Sequence, residues 1–197
     1  WLYSVDFEEI KTLQHQGEWQ KAAKILSDAA QKVETAGADF LMICANTMHK
    51  VAAEVQAEIS IPLLHIADVT AEKLIADDVR KVGLLGTQFT MDEAFYKGRV
   101  RERYGIEVIV PGKADQEIVH NSIYSELIMG EIKDDSRQRY LEVIAQLHAQ
   151  GAQAVILGCT EIALLVQQNH TRVPLYDTTE IHAAQAVKLA LSRQSLE

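Results

Sequence analysis

GADFLMICANTMHKVAAEV (residues 37–55), continuing into IPLLHIADVTAE (61–72), and GAQAVILGCTEIALLVQQ (151–168), continuing into VPLYDTTEIHAA (173–184), are two versions of one pattern. Each opens on Gly-Ala and runs as an apolar strand to a cysteine. Each then enters a helix and meets a second strand carrying Pro-Leu. Duplication of this kind predicts two similar halves. Strands apolar at every position, handed directly to helices, belong to parallel sheets covered on both faces. In such folds the chemistry gathers at the carboxyl ends of the strands, where Cys44 and Cys159 stand. These are the only cysteines of the chain, and a pseudo-twofold relation would set them facing one cleft.

Outward from the two copies the alternation continues. Trp19, Ala22, Ala23, Leu26, Ala29, Ala30 and Val33 recur at helical spacing and stop at Gly37, which predicts a helix over 18–36. In the first half we expect strands at 40–43 and 63–66 and helices at 46–59 and 69–77. In the second we expect strands at 82–85, 107–110, 155–157 and 173–176, with helices at 91–104, 116–130, 134–150, 162–168 and 179–193. Regular alternation predicts an α/β fold of two pseudo-symmetric lobes, each a parallel sheet flanked by helices, with the active site in the cleft between them. The first lobe is expected at 1–79 and the second at 80–197, the last helix crossing back toward the first. WLYSVDF (1–7) has an apolar strand pattern leading into a helix near Asp6. The strand KVGLLGT (81–87) has no counterpart in the first half, so a further strand is expected ahead of Trp1.

Composition narrows the function classes. With 197 residues, 48% of them hydrophobic, the chain can bury a core. No run approaches the roughly 20 apolar residues of a membrane helix. The net charge of -9, with basic residues scattered along amphipathic helices, argues against nucleic acid as a partner. Two widely separated cysteines without a signal-peptide pattern fit a reducing compartment, and a cytoplasmic location is expected.

A cysteine in the first turn of a helix meets unpaired backbone N–H groups and the positive end of the helix dipole. Both favour thiolate, which would draw the pKa from about 8.5 toward neutrality. The same N–H groups, with the hydroxyls of Thr47 and Thr160 and the amide of Asn46, form a cradle for a substrate carboxylate. Two bases placed symmetrically about a cleft suit a nearly symmetric reaction, in which a proton leaves one face of a carbon and another arrives on the opposite face. Racemisation and epimerisation are such reactions. Each of these residues also has an ordinary use: a small buried thiol, or helix capping by Asn46, Thr47 and Thr160 and turn capping by Thr87 and Thr90. His49, His65 and His182 read as core or surface histidines rather than ligands.

The pairing of CANT (44–47) with GCTEI (158–162), together with LLGTQFTM (84–91) and SVDFEEI (4–10), resembles the aspartate/glutamate racemase superfamily, in its cofactor-independent amino acid racemase branch, over essentially the whole chain. The resemblance implies a racemase that uses neither pyridoxal phosphate nor metal and takes a small amino acid as its partner. It implies that Cys44 and Cys159 are the acid/base pair. Asn46, Thr47, Thr87 and Thr160 match positions that hold the substrate's α-carboxylate and ammonium, with Thr90 assisting. Glu161 stands where the glutamate racemases of cell-wall synthesis carry histidine, which favours the aspartate racemase-like or broad-specificity branch. A role for Glu161 in proton transfer or cysteine orientation sits beside complementation of its helix dipole. The resemblance further implies a homodimer, and a first strand with a glycine-rich loop preceding Trp1. Lys133 is the candidate for the basic side chain that aspartate-specific members use, whereas Asp6 near the pocket would admit neutral side chains.

Three other readings compete. A zinc site of Cys44, Cys159 and a histidine such as His49 would use the same convergence, but the close ligand pairs typical of structural zinc are missing. A non-catalytic small-molecule binder would keep the cleft without exchanging the α-proton. Hydantoin racemase, maleate isomerase and decarboxylase chemistry are the nearest enzymatic alternatives.

Overall fold

The helical stripe of Ala22, Ala23, Ser27 and Ala30 is buried in the computed structural model of this chain, which describes residues 1–193. The stripe lies on α2 (Trp19–Thr35), which follows α1 (Phe7–His15); Asp6 caps α1 by accepting from the Glu9 N–H at 3.1 Å. After Thr47 the chain makes a 3₁₀ turn (Thr47–Val51) before α3 (Ala52–Ala57). Apart from Thr47, these elements belong to one compact unit, Trp1–Ile43 with Met48–His65. Gln56 ties α3 to the segment that follows it, its side chain donating to the Ile61 carbonyl and accepting from the Leu63 N–H. Glu34 Oε1 accepts from the Ser60 N–H and hydroxyl and from the Ile61 N–H.

The second unit comprises Cys44–Thr47 and the chain from Ile66 onward. Its sheet has four parallel strands, β1 (Lys81–Gly86), β2 (Glu107–Ile109), β3 (Ala154–Gly158) and β4 (Leu175–Asp177), in the order β2-β1-β3-β4. The helices are α4 (Ile66–Ala76), α5 (Gln88–Asp92), α6 (Ala94–Tyr104), α7 (Lys113–Ser125), α8 (Asp134–Ala149), α9 (Ile162–Leu165) and α10 (Thr178–Arg193). Alternating side chains of the central strands separate two cores. Val82, Leu84, Ala154 and Ile156 pack with Ile66, Leu74, Tyr96 and Val100, whereas Leu85, Val155 and Leu157 pack with Val119, Ile123, Tyr140 and Leu147. Each fully buried Leu or Ile contributes about 1.5–3 kcal/mol. An Arg99–Asp68 fork, with Nε–Oδ1 at 2.5 Å and Nη2–Oδ2 at 2.6 Å, ties α6 to α4.

This is the expected α/β architecture, with several local departures. The unit boundary falls at His65/Ile66 rather than at 79, because α4 supplies Ile66, Ala71 and Leu74 to the same core as β1. α10 packs on α4, β3 and β4 of its own unit. Residues 40–43 and 63–66 pair only through a parallel bridge, Leu41 to Leu63. Among the described residues no further strand pairs with them, and a two-segment ladder is marginal. Residues 1–5 carry no strand despite their apolar pattern; Trp1 and Leu2 are exposed. The helix expected over 46–59 splits into the 3₁₀ turn and α3, and that over 91–104 breaks at Glu93, whose ψ of 157° is extended. The helix expected over 116–130 begins earlier and ends at Ser125, followed by a 3₁₀ turn, Leu127–Met129. Among the described residues, no helix is long and apolar enough to cross a membrane.

Candidate active site

β2 lies on one side of β1 and β3 on the other, so the strand order reverses between β1 and β3. A crevice opens outside the carboxyl ends of strands at such a switch point. Both strands end there in glycine, Gly86 in register with Gly158. A Cβ on Gly158 would stand 2.7 Å from the Leu85 carbonyl oxygen, and one on Gly86 would stand 2.8 Å from the Gly158 carbonyl oxygen. The two backbones therefore approach as only glycines permit, and the next residues, Thr87 and Cys159, leave the sheet side by side.

Thr87 caps α5, and its hydroxyl meets two others. Thr47 Oγ1 lies 2.9 Å from Thr87 Oγ1 and 3.4 Å from Thr90 Oγ1, and Thr87 and Thr90 are 3.2 Å apart. All three side chains are buried. Asn46 is buried beside them. Its Nδ2 donates to Thr178 Oγ1 at 3.0 Å, and Thr178 donates its own proton to the Leu157 carbonyl at 2.9 Å. Thr178 can therefore only accept from Asn46, which fixes the amide orientation. Asn46 Oδ1 is left without a hydrogen-bond partner among the described residues. A buried orphan acceptor costs about 1–3 kcal/mol, and a ligand N–H would satisfy it.

The two thiols differ. Cys44 is exposed, and Cys159 is partly buried, packed against the core that contains Tyr140 and Leu157. Cys159 Sγ donates to Glu161 Oε2 at 2.9 Å. Burial first, and then the neighbouring Glu161 carboxylate, push the Cys159 thiol well above its ordinary range; hydrogen bonds from the Thr160 and Glu161 N–H groups pull the other way and lose. This reverses the sequence expectation for Cys159. The helices after the cysteines are a 3₁₀ turn and the four-residue α9, too short to exert the dipole expected of a full helix. Cys44 should accordingly react first with iodoacetamide near pH 7.5, with Cys159 lagging. Glu161→Gln should speed Cys159 modification roughly three- to tenfold by lowering its pKa. Peptide mapping of the labelled protein checks both; Cys159 reacting first, or indifferent to Glu161→Gln, would refute this electrostatic picture.

Of the residues expected at the site, Asn46, Thr47, Thr87 and Thr90 are drawn together, with the Cys44–Thr47 segment in the same unit as the strand ends. Cys159 and Glu161 are hydrogen-bonded, and Thr160 lies between them in sequence. Lys133 is engaged elsewhere, 2.9 Å from Glu131 and 3.4 Å from Glu126. Asp6 serves as the cap of α1. The sequence reading missed Thr178 and the Gly86–Gly158 pair. Thr178 stood in the second copy's YDTTE, opposite Ile66 of the first, between the strand expected at 173–176 and the helix expected at 179–193, and was assigned no role. Among the described residues no three His, Cys, Asp or Glu side chains converge as a metal-ligand group.

The family model of the Asp/Glu/hydantoin racemases matches residues 2–186. The broad specificity amino-acid racemase RacX of Bacillus subtilis is 26% identical over 179 residues, covering 87% of this chain and 74% of its own length. Among solved structures, a Yersinia pestis protein assigned as an Asp/Glu racemase is 51% identical, with a TM-score of 0.90 over 97% of this chain and 83% of that one. An aspartate racemase homologue from Pyrococcus horikoshii is 36% identical, with a TM-score of 0.82 over 95% of this chain and 81% of that one. A match running through both cysteine-bearing repeats and the switch-point strands makes this chain a member of the Asp/Glu/hydantoin racemase family.

Proposed function

We propose that the protein racemises an amino acid by moving protons at the α-carbon between Cys44 and Cys159, without a cofactor. The observation that carries this reading is the hydrogen-bonded chain linking the Cys44 turn to the ends of β1 and β3, through Thr47–Thr87 and through Asn46–Thr178–Leu157. The names of relatives, a broad specificity amino-acid racemase and an aspartate racemase homologue, support the reaction class.

In this reading the hydroxyls of Thr47, Thr87, Thr90 and Thr160 serve the α-carboxylate, and Asn46 Oδ1 accepts from the α-ammonium. The Cys44 thiolate takes the α-proton, the C–H electron pair spreads into the carboxylate, and the Cys159 S–H donates to the opposite face. Hydroxyl donors preorganised around that carboxylate stabilise the charge as it develops. Cys44 ends as a thiol and Cys159 as a thiolate, and the reverse reaction or solvent exchange restores the pair. A Cys159 thiolate beside the Glu161 carboxylate is high in energy, which drives reprotonation and gives Glu161 a tuning role. A homodimer in the cytoplasm belongs to the same proposal.

Chiral chromatography of L- and D-amino acids incubated with the purified protein tests the reading. Aspartate and glutamate come first, then homoserine and methionine. Inversion of at least one is expected, and Thr47→Val should slow it roughly 10²-fold, as removal of one preorganised donor does elsewhere. Failure to invert any of them, with binding retained, would leave a non-catalytic binder.

A further inference from the structure

α5 is five residues long, held within itself by the Met91 N–H to Thr87 carbonyl bond (3.0 Å) and extended by that from the Glu93 N–H to the Phe89 carbonyl (3.1 Å). A segment this short does not hold its shape alone. Yet it carries Thr90 and is capped by Thr87, two of the three hydroxyls in the cluster. Its neighbour α7 grips it at both ends. At the start, His120 Nδ1 accepts from the backbone N–H of Gln88 at 3.1 Å. At the end, Lys113 Nζ meets Asp92 Oδ1 at 2.6 Å.

The grip has a firm base. The Ser122 and Tyr140 hydroxyls lie 2.9 Å apart, and each donates to the Val119 carbonyl, at 2.9 and 3.1 Å, so buried polar contacts fix α7 to α8. The His120 ring is also held in place, edge-on to Phe89 with centroids 6.4 Å apart and tilted against Tyr124 at 4.9 Å. The bond to Gln88 requires an unprotonated Nδ1. Moreover, Gln88 directly follows Thr87, so displacing its N–H displaces the capping hydroxyl.

We infer that His120 is a positioning residue: by accepting from the Gln88 N–H it sets the Thr87 and Thr90 hydroxyls for the substrate carboxylate. Lys113 is the outer, weaker clamp, because an exposed ion pair contributes little. The inference rests on the proposed carboxylate role of those threonines, but its first readout does not depend on catalysis.

His120→Phe keeps an aromatic ring between Phe89 and Tyr124 and removes the acceptor. His120→Asn places Oδ1 where Nδ1 was. Amide hydrogen exchange at Gln88, resolved by NMR or by fragmentation of the 87–91 peptide, should quicken roughly tenfold in the Phe variant and return toward the wild-type rate in the Asn variant. With whichever amino acid the enzyme inverts, KM should rise about as much in the Phe variant, with kcat changing less, and the Asn variant should recover. Unchanged Gln88 exchange in the Phe variant would overturn the inference. So would faster exchange with KM unaltered, or an Asn variant that folds but recovers neither. A wild-type protein that inverts no amino acid would remove the racemase reading while leaving the exchange result to decide whether His120 holds α5.

Discussion

Cys44→Ser and Cys159→Ser are each expected to slow inversion about 10³-fold in both directions, within the range that general acid–base groups supply. A serine hydroxyl keeps the volume and hydrogen-bonding capacity of the site but is too weak an acid to exchange a proton with an α-carbon near neutral pH. The two variants should nevertheless differ in what remains. With one thiol left, a proton can be removed from a single face and returned to it, so one enantiomer should exchange its α-hydrogen with solvent without inverting. Cys44→Ser and Cys159→Ser should exchange opposite enantiomers. Chiral chromatography combined with mass spectrometry reads both quantities, with circular dichroism confirming the fold. Either variant racemising near the wild-type rate would show that its thiol is not one of the bases.

Gly158→Ala is expected to destabilise the second unit by about 3 kcal/mol, at the upper end of overpacking penalties. The added methyl would meet the Leu85 carbonyl oxygen at 2.7 Å and Leu84 Cδ1 at 2.9 Å. The first of these is backbone in the adjacent central strand, whose ladder with β3 runs in register from Val82 to Gly86. Neither strand can shift without breaking that ladder. Gly86→Ala meets the Gly158 carbonyl oxygen at 2.8 Å and the Thr90 side chain at 3.2 Å, so it should also disturb the hydroxyl cluster. Urea unfolding measures the loss. A change below about 0.5 kcal/mol at both positions, the scale of an ordinary surface substitution, would contradict the packing described for the strand ends.

The parts legible in the sequence were those fixed by local pattern. The central strands announced themselves as uninterrupted apolar runs, and the Gly-Ala to Pro-Leu repeat singled out Cys44 and Cys159 among positions that would otherwise pass as small core residues. Thr47, Thr87 and Thr90 were legible because each lies within four residues of a strand end or a cysteine. Thr178 was not, since its partner Asn46 lies 132 positions away. His120 was equally hidden, 32 positions from Gln88 in a helix with no motif of its own. Strands expected at 40–43 and 63–66 shrank to a bridge because strand propensity needs a neighbour to be realised. Cys159 shows the limit of reasoning from helix ends. The N–H groups expected to favour thiolate do contact the sulfur, but burial and a carboxylate two residues on outweigh them. That balance depends on the depth of the site, which sequence spacing does not give.

Racemisation in D2O, followed to low conversion from each pure enantiomer, tests the two-base account most directly. With a separate thiol on each face, the product should carry deuterium at the α-carbon while the unconverted substrate stays largely protonated. Substrate that gains deuterium as fast as product forms, or product that keeps its original hydrogen, would mean that one group serves both faces, and the pairing of Cys44 with Cys159 would be wrong.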